Sequence, residues 1–77
     1  MSGERDVVLA REPVELYKIL KFEGFAGSGG EAKSLVDEGG VTVNGERETR
    51  RRRKIVDGDL IGVAGERLRA RLRRPGP

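Results

Sequence analysis

Cysteine, histidine and tryptophan are all missing from this 77-residue chain. Without Cys there can be no disulfide, no thiolate metal site and no cysteine nucleophile, a composition that suits a reducing cytosol. Without His the usual neutral-pH general base and the commonest transition-metal ligand are gone. Aromatics are scarce as well, being only Tyr17, Phe22 and Phe25. No apolar run approaches the roughly 20 residues of a membrane span. Met1 to Ala10 lacks the apolar core of a secretory signal. The remaining Asp57-Gly58-Asp59 carboxylates have no third ligand beside them and read as a turn, so neither an enzyme nor a bound cofactor or metal is expected. These absences describe a small, soluble, cytoplasmic, monomeric domain over residues 1–72, with a disordered tail at 73–77.

What the chain does have is charge, unevenly spread. Residues 1–49 hold 6 Lys/Arg against 10 Asp/Glu, whereas residues 50–77 hold 10 against 3. The overall +3 therefore conceals a basic half that opens on five consecutive cations, Arg50-Arg51-Arg52-Arg53-Lys54. A segment of that kind points to a polyanionic partner. Arg outnumbers Lys by 12 to 4, and guanidinium suits bidentate phosphate contacts and stacking on bases.

Hydrophobic spacing divides the chain into elements. Val7 to Ala10 is short and apolar, as in an edge strand. Pro13 fits a first helical turn, and Leu16, Ile19 and Leu20 follow at helical spacing, predicting a helix near 13–23 that Gly24 ends. Ser28 and Glu31 have capping-box spacing before Ala32, Leu35 and Val36, predicting a second helix near 29–38 that stops at Gly39-Gly40. The period then changes to two. Val41 and Val43 flank Thr42, and Asn44-Gly45 signals a tight turn. Residues 46–54 read as a loop or an exposed strand, Ile55-Val56 as a buried stub, and Leu60 to Val63 as a strand that turns at Ala64-Gly65. In the final strand Leu68, Ala70 and Leu72 face inward while Arg67, Arg69 and Arg71 face out. The expected fold class is α+β, with two N-terminal helices packed on a small antiparallel sheet.

Across Gly24 to Val63 this pattern resembles the RNA-binding domain named for the fourth small-subunit ribosomal protein, the S-four domain, whose core is the αL motif. The resemblance rests on Ser28, Ala32, Lys33, Leu35, Val36, Gly39, Val41, Val43, Asn44-Gly45 and Gly58-Asp59. It extends through Glu48-Thr49-Arg50 and Lys54-Ile55-Val56, and back through Val14-Glu15-Leu16, Leu20-Lys21 and Glu23-Gly24. That wider set is similar to a small standalone bacterial branch of the family. Many members have Arg-Leu-Asp where this chain has Glu15-Leu16-Tyr17, and a cation where it has Gly29. Those departures shift the weight to Lys33 and to the run from Arg50 to Lys54.

The resemblance implies a non-catalytic protein that contacts structured RNA, either ribosomal RNA, its precursor or transfer RNA, and that is associated with ribosomal particles. Helix two and the adjoining cationic loop would make the contact, through Lys21, Lys33, Arg50, Arg51, Arg52, Arg53 and Lys54. Two alternatives stay open at this point. One is a protein-interaction module whose basic face meets an acidic partner, and the other is a small DNA-binding protein. The aromatics divide in the same reading: Phe22 and Phe25 serve the thin core, and Tyr17 has either role.

Overall fold

The computed structural model describes residues 3–74. Its elements run β1 (Glu4–Leu9), β2 (Val14–Glu15), α1 (Leu16–Phe22), α2 (Gly29–Asp37), β3 (Val41–Val43), β4 (Glu46–Arg47), β5 (Lys54–Ile55), β6 (Leu60–Val63) and β7 (Glu66–Leu72). Five strands form one sheet in the order β1-β7-β6-β3-β4, and β2 pairs with β5 in a separate ladder. The class is α+β. The edge strand expected at Val7 to Ala10 is present as Glu4–Leu9, so the helices are not the first described elements, and the sheet corrects the expected layout by being mixed rather than antiparallel. β1 lies parallel to β7, Glu4 opposite Arg67 and Leu9 opposite Leu72, while the other pairs are antiparallel. No hairpin joins β1 to β7, so the connection imposes no antiparallel direction, and burial of Val7 and Leu9 holds β1 in place.

Both helices lie on one face of the sheet. Leu16, Ile19 and Leu20 of α1 and Ala32 and Val36 of α2 meet Val41, Val43, Ile61, Val63, Leu68 and Ala70, all buried. Leu35 is half-buried at the margin. The alternation expected in β7 holds, with Leu68 and Ala70 buried and Arg67 and Arg71 exposed. Asn44-Gly45 and Ala64-Gly65 both turn through positive φ, as two-residue hairpins demand.

Other expectations shift. Pro13 is not in a helical turn, because Val14 and Glu15 pair with Ile55 and Lys54, and α1 begins only at Leu16. Phe22 is not core; it is 78% exposed. Val56 is exposed too, its N–H donating to Asp59 Oδ2. Arg73 N–H still donates to the Leu9 carbonyl, and the part of the expected tail from residue 75 on lies outside the described residues.

Candidate nucleic-acid interface

The cationic run is folded around a carboxylate. Glu48 is 6% exposed, just after β4. Its Oε2 accepts from the N–H groups of Thr49 and Arg50 and from Arg50 Nε at 3.0 Å, and its Oε1 accepts from Arg53 Nη1 at 2.6 Å. The Arg50 side chain, above all, holds the Glu48 carboxyl down at about 2; burial opposes this, and the Arg50 N–H and Arg53 reinforce it. The partner effect raises Arg50. Arg50 and Arg53 are therefore holders of the loop as well as exposed charge.

The loop in turn caps a helix. Glu15 gives α1 no side-chain cap. Instead the N–H groups of Leu16 and Tyr17 donate to the carbonyls of Arg53 and Arg51, at 2.8 and 3.1 Å. This satisfies donors that a helix start otherwise leaves unpaired, and it fixes the loop beside α1. On the other side, α2 starts at Ser28, whose Oγ accepts from the Glu31 N–H. The Glu31 carboxylate reaches the Gly27 N–H rather than that of Ser28, one residue off the expected reciprocal box.

Tyr17 stands where the loop and the two helices meet. Lys33 Nζ of α2 lies 4.7 Å from its ring centroid, the Arg52 guanidinium 5.8 Å and Lys18 6.0 Å. Attraction to the electron-rich ring offsets part of the repulsion among the three cations gathered around it. A β-carbon placed on Gly29 would sit 3.6 Å from Tyr17 Cε2, so the ring occupies the space beside Gly29. Tyr17 is the residue whose role the sequence left open; only the fold shows it next to Lys33 and Arg52.

The predicted cations thus sort into classes. Arg50, Arg52, Arg53 and Lys54 line one shallow notch. Arg51 pairs with Asp37 of α2 at 2.6 Å through exposed groups, and the exposed Arg52 approaches the half-buried Glu15 at 3.6 Å. Lys33 and Lys54 carry no ion pair among the described residues. Lys21 is exposed one turn beyond Tyr17 and enters none of the contacts that join Lys33 to Arg52. Two of the three outward arginines are paired, Arg69 with Glu4 and Arg71 with Asp6 of β1. No group of carboxylates able to hold a metal occurs among the described residues, and no helix there is long and apolar enough to cross a membrane.

Comparison with known proteins adds to this geometry. The family model of the S4 domain matches residues 7–70. YbcJ of Escherichia coli K12 is 48% identical over 58 residues, which cover 74% of this chain and 83% of that protein. The solution structure of E. coli YbcJ, with an αL motif involved in RNA binding, superposes with a TM-score of 0.67 at 42% identity, covering 92% of this chain and 91% of that one. A tyrosine–tRNA ligase of Bordetella pertussis is 32% identical over 71 residues, 92% of this chain but only 17% of the ligase.

Proposed function

The chain belongs to the S4 domain family, and from that premise we propose that it is a non-catalytic protein binding structured RNA through α2 and the loop between β4 and β5. Ribosomal RNA, its precursor and transfer RNA are the candidate classes; the likeness to a tRNA ligase supports the last. One observation carries the reading: Lys33 and Arg52 converge on Tyr17 directly beside a notch lined only by Arg50, Arg52, Arg53 and Lys54. A bent phosphate backbone meets a cluster of that kind from one side.

The ion pairs decide which cations are available. The exposed Arg51–Asp37 pair is worth at most about 1 kcal/mol, and Arg52–Glu15 is a long contact at 3.6 Å, so a phosphate displaces either carboxylate at small cost. The bonds of Arg50 and Arg53 to Glu48 stay, since breaking them strands a buried carboxylate. Lys33, Arg51, Arg52 and Lys54 are then the principal phosphate contacts, with Lys21 and the outer faces of Arg50 and Arg53 contributing less. About four contacts give a log–log salt slope of roughly −3 to −4. Contacts to phosphate position RNA without reading sequence.

The test is the triple variant Arg51→Gln, Arg52→Gln, Lys54→Gln, which spares the Glu48 bonds. Fluorescence anisotropy with a folded tRNA transcript should show a slope flatter by about 0.7–0.9 for each phosphate that the variant no longer neutralises. Duplex DNA of equal length should bind more weakly than the transcript. A folded triple variant with the parent's slope would show that the run is only a solvated loop.

A further inference from the structure

The edge of the sheet opposite the helix-two side carries an unused surface. β1 is an edge strand, bonded to β7 on one side only. The carbonyls of Gly3 and Leu9 accept from the N–H groups of Arg67 and Arg73. Strand alternation gives the same direction to Arg5 and Val7, which leaves the N–H and C=O groups of Glu4, Asp6 and Val8 on the free edge. The first half of that edge is guarded by charge, as exposed edges usually are. The second half, Val7 to Ala10, has none.

The uncharged half opens on a groove between β1 and α1. Val8, Leu9, Ala10 and Pro13 line one side and Phe22 stands on the other. Val8 is 64% exposed and Phe22 78%, two of the three large apolar side chains that the described residues leave in water. Phe22 is not needed to complete the core, whose buried members come from elsewhere. Of the charges lining the groove, Glu23 is held by Arg5, and Glu15 by Lys18 and Arg52. Arg11 and Lys21 line it without an ion pair among the described residues, so the groove has spare positive charge.

We propose that this groove binds an extended, acidic segment of a partner protein, which adds a strand to β1, lays one set of alternate side chains over Phe22 and Lys21 on the helix face, and turns the other set toward Val8 on the opposite face. Main-chain bonding to a free edge supplies affinity, and side-chain pockets at alternate positions supply selectivity. A second copy of this chain fits less well, because it would bring the same unpaired cations against themselves. The groove shares no lining residue with the cationic notch, although it takes in Tyr17 and Lys21, which the RNA-binding reading also uses.

The experiment is an NMR titration of the isotopically labelled chain with an acetylated heptapeptide of alternating valine and aspartate. A peptide with lysine for aspartate is the control. The expected result is shifts centred on Asp6, Val8, Ala10 and Phe22, about tenfold or greater gain in exchange protection at the Asp6 and Val8 amides, and little response to the lysine peptide. Val8→Pro removes a free-edge N–H and the exposed Val8 side chain but no bond to β7, so the fold should survive while binding falls more than about tenfold. Phe22→Ala, at an exposed position, should weaken binding about fivefold. Shifts centred on Arg50 to Lys54 would overturn the proposal, as would no shift, indifference to both variants, or protection that grows with protein concentration without peptide.

Discussion

Glu48 shows how one side chain sets the behaviour of its neighbours. Its folded pKa lies below the ordinary value of 4.5, at about 2, so its contribution to stability is complete above about pH 4.5 and is lost as pH falls toward 2. That contribution is on the order of 3 kcal/mol. Urea unfolding of the parent and of Glu48→Gln should therefore converge in stability as the pH is lowered through that window, with the parent ahead at neutral pH. The same bonds make the five cations unequal. Arg53→Gln should cost about 1–2 kcal/mol, because it removes one partner of a buried carboxylate that keeps Arg50 and two N–H groups. Lys54→Gln, exposed and unpaired among the described residues, should change stability by less than about 0.5 kcal/mol, as read from thermal or urea unfolding. From the sequence, Arg50 to Lys54 read as one run. That Glu48 divides it into holders and contacts was not legible, because a lone Glu in a polar stretch has no periodic signal and its burial depends on where the loop folds back.

Turns and helix caps were the legible elements, since their chemistry is local. Asn44-Gly45, Ser28 and the Gly24 and Gly39 helix ends all do what their residue types imply, Gly24 and Gly39 at φ +84 and +80. The two-residue ladder between Val14-Glu15 and Lys54-Ile55 was not legible, and it displaced the start of α1 from Pro13. Too few side chains take part for a period to appear. Strand pairing also carries a constraint that only the register reveals. Gly62 lies opposite Thr42 on the outer face, and a β-carbon there would collide with Thr42 Oγ1. Because Thr42 branches at Cβ, two of its three rotamers put a heavy atom, hydroxyl or methyl, where that β-carbon would sit. Gly62→Ala should thus destabilise by about 1–3 kcal/mol, and adding Thr42→Ala should restore most of it. A double-mutant cycle by urea unfolding checks both statements; additive costs would mean that the two residues do not meet.

At the scale of the whole molecule, the basic and acidic halves of the sequence do not become a basic and an acidic face. β1 lays Glu4 and Asp6 beside Arg69 and Arg71, and Asp57 meets Arg74, so much of the C-terminal charge is neutralised within the fold. Net charge per segment could not show this, because it depends on two strands at opposite ends of the described chain becoming neighbours. The functional consequence is measurable. Replacing Arg67, Arg69 and Arg71 together with Gln should leave the salt slope of RNA binding within about 0.5 of the parent, unlike the loop variant. The same adjacency of β1 and β7 has a bearing on how the chain is made. β1 emerges from the ribosome early, yet the strand it needs is translated after every other described element. Until then Val7, Val8 and Leu9 have no partner strand, and the pairing that shelters two of them has the longest loop to close among the described strand pairs. Sheet completion is therefore expected as a late event, before which the chain displays an apolar strand edge that chaperones recognise.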